Sequence, residues 1–350
     1  MVAPAAGAER RSESTDPVLV EVTRGEVVEN RHRGAAAVFD AAGRRVAGWG
    51  DIERAVYPRS AIKPLQALPL VETGAADRFG LGEAEIALAS ASHGGEPEHL
   101  EALSAWLARL GLEADELACG RRPPLNREAA EALVRAGERP GPLHNNCSGK
   151  HLGMLTTARH LGAPTAGYHR PDHPVQRRVL RVLEEMSGLD LSRAPIGLDG
   201  CNIPTIAMPL SGLARAMARL AAPAALDPER AAACRRIAAA VAAEPFMVAG
   251  RGRFCTIVMA AAGPEVLVKT GAGGMFTAAL PKLGYGVALK IEDGAGRASE
   301  TAMAALLSHL GGGDERLSAV LARYLEVPLH NAAGVRIGAI RPAPGWPGRA

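Results

Sequence analysis

Ser60 and Lys63 are three residues apart in Tyr57-Pro-Arg-Ser-Ala-Ile-Lys-Pro64, so on a helix they share one face. Pro64 fits only within a first helical turn, which puts Ser60 at or near a helix N-terminus. The dipole there favours negative charge developing on oxygen. A hydroxyl with an amine one turn away is a nucleophile–base pair; the plain alternative is a helix cap followed by a solvated lysine. A second amine, Lys269, stands in Val268-Lys-Thr-Gly-Ala-Gly-Gly at the end of an apolar run. A third segment, Ala91-Ser92-His93-Gly94-Gly95-Glu96, is a glycine-rich loop. Its Ser92 and His93 either extend a proton network or lead into the helix that comes after. Only five of the 40 basic residues are lysine, the rest being arginine. A position that keeps lysine in such a chain is a candidate for what arginine cannot do, which is to release its proton.

Two more segments are dense in polar side chains. One is His144-Asn145-Asn146-Cys147-Ser148-Gly149-Lys150-His151, the other Gly197-Leu198-Asp199-Gly200-Cys201-Asn202. Two thiols, an amine and a carboxylate can converge on a metal, and thiolates suit zinc. Lysine is an uncommon ligand because its amine must be neutral to bind, so two unrelated reduced cysteines at loop ends are the other reading. Cys119, Cys234 and Cys255 read as small core residues.

The elements that must position these residues can be read from periodicity. Residues 17–50 read as strands broken at Arg24-Gly25 and at residues 40–43. Helices are expected at 61–73, 97–109, 128–136, 148–162, 173–187, 210–220 and 228–243. The run from Arg253 to Gly274 reads as two antiparallel strands joined at Gly263-Pro264, and residues 284–293 as a third. A helix from about 298 ends in glycines, and Val335–Pro342 is a last strand. The fold class is therefore α/β of the α+β type: a mainly antiparallel sheet built from N- and C-terminal strands, with a helical lobe at about 75–250 beside it. The cleft between them is the natural place for a site. The domain reading is a disordered leader over 1–16 and one catalytic domain over 17–345.

At 350 residues, with 47% hydrophobic and 22% charged residues, the chain suits a globular domain with a sizeable core. A net charge of +3 is too small to make nucleic acid or an anionic membrane the default partner. No apolar run approaches the length of a membrane span, and the first residues lack the apolar core of a signal peptide. Five cysteines do not make a disulfide framework. The expectation is a cytoplasmic protein with reduced thiols.

The order Ser-x-x-Lys early, Lys-Thr-Gly late, resembles that of penicillin-recognising serine enzymes. Their third element, Ser-Asp-Asn or Tyr-x-Asn, is absent, which argues against a β-lactamase or transpeptidase. Taken together and in order, YPRSAIKPLQALPL, SHGGE, HNNCSGKH, DGCNIP and VKTGA resemble the Rhizobium-type L-asparaginase II family over roughly residues 17–345. The resemblance implies a fold similar to serine β-lactamases and glutaminases, hydrolysis of L-asparagine to L-aspartate and ammonia, and a homodimer. It places two Ser–Lys pairs on Ser60–Lys63 and Ser92–Lys269. It places a zinc site on Cys147, Lys150 and Cys201, near Asp199, with the zinc helping substrate binding rather than being strictly required. Arg59, Asn146, His151 and Asp199 are candidates for holding the polar groups of the substrate.

On this reading Ser60 attacks the amide carbon and a neutral Lys63 takes its proton, with Ser92 and Lys269 as a relay. Three other readings remain open at this point. One is a glutaminase or another small-amide hydrolase. Another is a zinc amidohydrolase whose metal activates water. The third is a sensor that binds amides without turnover.

Overall fold

The computed structural model describes residues 16–311 and 313–348. Residues 1–15 of the expected leader lie outside the described residues. Asp16 is buried, and its carboxylate accepts hydrogen bonds from the Asp51 amide at 2.7 Å and from Arg54 at 2.8 Å.

The chain opens with strands β1 (Val18–Arg24), β2 (Val27–Asp40) and β3 (Arg45–Trp49). Four short strands come next: β4 (Ala55–Val56), β5 (Ile196–Leu198), β6 (Pro204–Ile206) and β7 (Met208–Pro209). Strands β8 (Leu267–Gly271), β9 (Met275–Leu280), β10 (Tyr285–Ile291), β11 (Val327–His330) and β12 (Arg336–Pro342) complete the set. The main sheet runs β11-β12-β1-β2-β10-β9-β8, with β3 paired to β2. Every pair in it is antiparallel. The sheet is thus made from the two ends of the chain, as the sequence pattern predicts. Its core-facing segments are uniformly apolar: Ala35–Val38 on β2 and Val287–Leu289 on β10 are fully buried. β4 pairs with β7 and β5 with β6 in two small ribbons.

The helical lobe lies between the two groups of strands in the chain. The expected helices appear as Pro97–Leu110, Arg127–Arg135, Ser148–His160, Pro174–Ser187, Leu210–Ala221 and Pro228–Ala243. The segment expected as one helix over 61–73 is broken. It is a 3-10 turn at Arg59–Ile62 and two short helices, Lys63–Gln66 and Leu68–Glu72, each with proline in its first turn. Prolines 64 and 69 start new helices but cannot continue an old one.

The strand expected over the first half of 253–274 is instead the helix Phe254–Ala262, closed by Gly263 at φ 58°. In this nine-residue run Thr256 alone is polar, too little to reveal a period, so helix and strand look alike in it. The alanines at its end favour the helix. The pattern also passes over β9, β11 and the helices Glu83–Ala89 and Glu315–Leu325.

Among the described residues no helix is long and apolar enough to cross a membrane. All five cysteines are unpaired and buried.

Helix Ser148–His160 carries Lys150 and begins directly after Cys147. It is buried on nearly every face, as an internal helix of a sizeable core must be. Gly149 lets it lie against Glu83–Ala89, because a Cβ there would collide with the Leu88 carbonyl. That contact sets the Cys147–Lys150 turn against the end of the helix that leads to Ser92. Gly149→Ala is expected to cost about 2–3 kcal/mol, since overpacking a close backbone contact forces the helices apart. Urea unfolding of the variant beside the parent measures it.

Candidate active site

The sheet, the short helices after Arg59 and the loop after Glu83–Ala89 bring three side chains together. Lys63 is wholly buried at the start of its helix, Lys269 is buried on β8, and Ser92 is buried in the loop. Both amines reach one hydroxyl: Nζ of Lys63 lies 3.1 Å and Nζ of Lys269 lies 2.8 Å from Oγ of Ser92. Lys63 also donates to the Ala91 carbonyl and lies 3.2 Å from the Cys147 sulfur. Lys269 donates to the Thr270 carbonyl at 2.9 Å. Burial, reinforced by the neighbouring Lys63 ammonium, brings the Lys269 amine down to about 7. Ser92 is fixed from behind by its backbone amide, which donates a hydrogen bond to the Val248 carbonyl at 2.8 Å.

Ser60 is half-buried and lines the cleft above this group. The Lys63 amide donates to the Ser60 carbonyl, but no hydrogen bond joins the two side chains among the described residues; the Lys63 amine turns to Ser92 instead. The turn that carries Ser60 is clamped to the sheet. Thr277 on β9 donates to the Ala61 carbonyl at 2.8 Å. A Cβ on Gly271 of β8 would sit 3.0 Å from both the Ala61 amide and the Pro58 carbonyl. The glycine after Lys269-Thr270 is therefore what lets the strand approach the serine turn. Arg59, just before Ser60, holds φ at 52°, an uncommon conformation for a residue with a side chain. Its guanidinium makes two hydrogen bonds to Oδ1 of Asp199, at 2.9 and 2.7 Å.

The cysteine-bearing segments meet on the opposite wall. Asn145 orders the first of them. Its amide group donates to the carbonyls of Cys119 and Gly120, and its oxygen accepts the Cys147 amide at 3.0 Å. Nζ of Lys150 lies 3.1 Å from the Cys201 sulfur. A hydrogen bond from the Cys147 thiol, aided by the Lys150 charge, brings the Cys201 thiol down to about 4 against the effect of burial. The same hydrogen bond and burial push Cys147 up to about 12. Burial works against the Lys150 ammonium, but the sulfurs and Asp199 outweigh it and raise its pKa. Burial likewise works against the Asp199 carboxylate, and Lys150 and Arg59 hold it below the usual range.

A thiolate facing an ammonium in a buried pocket is a place where a soft divalent cation can exchange for protons. The donor set fits zinc in that sense, with Lys150 having to give up its proton. Among the described residues no group of three or more His, Cys, Asp or Glu side chains is arranged to hold a metal. A site here therefore depends on the lysine.

The cleft has a volume of about 210 Å³, and Ser60, Ser92, Asn146, Cys147, Cys201 and Thr270 are among its lining residues. Arg59 and Asp199 also line it. His151 does not. It is fully buried against the Tyr168 hydroxyl, and burial lowers its pKa well below the ordinary value, so it is a neutral support beneath the wall. His93 is likewise buried and neutral, with Nε2 2.9 Å from the Ser148 hydroxyl. Arg122, Leu125 and Arg253 line the cleft as well. Sequence reasoning passes over them because arginine is the default surface cation of this chain and carries no signal by its presence.

The sequence model of the L-asparaginase II family matches residues 20–342. The chain belongs to the L-asparaginase II family. Membership makes it a hydrolase of amide bonds, and all five L-asparaginase II motifs of the sequence fall within the matched span. No curated protein matches the chain. Among solved structures it is similar to a β-lactamase from Mycobacterium bovis, with 15% identity over 83% of this chain and 94% of that one and a TM-score of 0.42. It is similar to a putative β-lactamase from Bacteroides dorei, with 13% identity over 83% and 93% of the two chains and a TM-score of 0.42. A native form of Mglu matches at 14% identity over 80% of this chain and 64% of that one, with a TM-score of 0.44.

The clamp on the serine turn is open to test in this L-asparaginase II chain. Thr277→Val keeps the shape of the side chain and leaves the buried Ala61 carbonyl without its donor. The loss is expected to be about 1–2 kcal/mol in urea unfolding, accompanied by a lower kcat as the Ser60 turn loosens.

Proposed function

We propose that the protein is an L-asparaginase that hydrolyses L-asparagine to L-aspartate and ammonia, with Ser60 as nucleophile and Lys63, Ser92 and Lys269 as its proton network. The observation that carries the reading is the convergence of two buried amines on Ser92 under the cleft that Ser60 lines. A hydroxyl held by two amines on the floor of a cleft suits a proton shuttle. The less buried hydroxyl on its wall suits the attacking group.

Ser60 Oγ bonds to the side-chain amide carbon and the carbonyl electron pair moves to oxygen. The hydroxyl proton passes through Ser92 to the Lys269 amine, which is neutral above about 7, while Lys63 holds the Ser92 hydroxyl in place. The same path returns the proton to the departing nitrogen. The C–N bond then breaks, ammonia leaves and an aspartyl ester remains on Ser60. Water repeats the sequence in reverse, releasing aspartate and restoring the hydroxyl. Backbone amides at the start of the Arg59–Ile62 turn and beside Gly271 are the candidate oxyanion donors. Cys147, Lys150 and Cys201 are the residues that would hold zinc. Bound there, the ion would supply positive charge for the polar end of the substrate.

The test is ammonia release from L-asparagine and L-glutamine by the parent and two variants. Ser60→Ala is expected to lose at least about 10³-fold in kcat/KM, and Ser92→Ala about 10²-fold. Full activity in Ser60→Ala removes Ser60 as nucleophile, and turnover of glutamine alone replaces asparagine as substrate. A chelator is expected to raise KM and leave kcat largely intact; complete loss of activity would favour a metal-activated water.

The pH profile tests the network separately. Lys269 is protonated below about 7 and neutral above it, and only the neutral amine can accept a proton. The expected kcat/KM therefore rises through pH 7 and levels off on the alkaline side. A profile flat from pH 6 to pH 9 would contradict a lysine base.

A further inference from the structure

Three guanidinium groups line the cleft, those of Arg59, Arg122 and Arg253. Arg59 is committed to Asp199 by two hydrogen bonds. Arg122 stands exposed on its loop. Arg253 is half-buried, and among the described residues its guanidinium has neither a hydrogen bond nor an ion pair. The carboxyl of Glu300 is within its electrostatic reach. Burial raises that carboxyl and Arg253 draws it back down, yet the two form no ion pair. With no side chain holding it, this guanidinium is available to an anion that enters the cleft.

The backbone that carries Arg253 is held from several sides. Its carbonyl accepts the Ile257 amide at 3.0 Å, so the residue caps helix Phe254–Ala262. Gly250 and Gly252 take φ of 97° and 73°, which bends the chain sharply ahead of it. The Arg251 amide donates to the buried carboxylate of Glu96 at 2.7 Å, and Thr256 donates to the Gly250 carbonyl at 2.6 Å. Glu96 also accepts from Asn126, and it comes directly after the Ser92 loop in sequence. The loop bearing Arg253 and the loop bearing Ser92 are thus tied by one buried carboxylate. Arg253 lines the same cleft as Ser60 and Ser92, so an anion that it holds lies in the cavity where the amide would react.

We infer that Arg253 receives the α-carboxylate of the substrate and sets the preference for amides that carry one. The inference deepens the proposed function and rests on it. A planar guanidinium can take both oxygens of a carboxylate at once, which fixes the direction of the amide as well as its affinity. Arg59 then acts on the substrate only through Asp199, as a positioning residue.

The experiment compares the parent with Arg253→Met and Arg253→Lys on L-asparagine and on 3-aminopropanamide, which is asparagine without its α-carboxylate. Ammonia release is the readout, with kcat and KM resolved. Arg253→Met is expected to raise KM for asparagine about a hundredfold with kcat within about threefold, because one charged contact is lost from bound substrate and transition state alike. The same variant is expected to leave kcat/KM for 3-aminopropanamide within about twofold, and Arg253→Lys to recover part of the asparagine affinity. Where circular dichroism shows Arg253→Met unfolded, Arg253→Lys and Arg253→Gln carry the same comparison. A KM for asparagine that stays within about threefold, or equal losses on both amides, would overturn the inference while the asparaginase reading stands. A parent enzyme that releases no ammonia from asparagine would overturn both.

Discussion

The structure is organised around two lysine side chains buried beside one serine. An ammonium taken out of water is costly unless it is paired, and burial favours the neutral amine instead. Lys63 and Lys269 have no carboxylate partner within ion-pair distance among the described residues. They are satisfied by carbonyls, a hydroxyl and a sulfur. Two like charges in one apolar pocket cannot both be held cheaply, and Lys269 yields, with burial as the main cause. A lysine brought near neutrality is able to accept and release protons at the pH where most proteins work.

Much of the architecture serves that arrangement. β8, an edge strand of the sheet, supplies Lys269, and its neighbour β9 pins the serine turn through Thr277. Helix Glu83–Ala89 ends just before Ala91, whose carbonyl accepts from Lys63. The carbonyl end of a helix is a favourable place for a cation. The thiolate of Cys201 and the ammonium of Lys150 form a second charged group on the far wall, close enough through Cys147 to touch the first. The catalytic floor and the candidate metal wall are therefore one electrostatic unit, joined at Cys147.

Ser60, Lys63, Ser92 and Lys269 stand out in the sequence because lysine is rare in this chain and because three-residue spacing is helical. Their assembly in one place is what the sheet of both termini accomplishes, and that sheet is legible from the strand patterns at each end. The pairing is less legible. Three-residue spacing suggests that Lys63 faces Ser60, but the Lys63 amine finds the Ala91 carbonyl, the Ser92 hydroxyl and the Cys147 sulfur instead, all from parts of the chain distant in sequence. His151 reads as a cleft residue from its neighbours in sequence. It lies on an internal helix, and the turn of that helix aims it at Tyr168. The helix Phe254–Ala262 is hidden in a run where Thr256 alone is polar, too little to show its period. Arg253 is hidden by the abundance of its own residue type, and only an unpartnered guanidinium in a cleft distinguishes it.

The central claim is that Ser60 forms a covalent ester with the acyl part of an amide substrate while the amines behind it move the proton. Acid quenching of the enzyme during turnover of L-asparagine, with peptide mass spectrometry of the quenched protein, tests it most directly. The account predicts an aspartyl adduct on the peptide that contains Ser60, absent without substrate and lost with time as the amide is consumed. An adduct on Ser92, or steady turnover with no adduct on any serine, would contradict it.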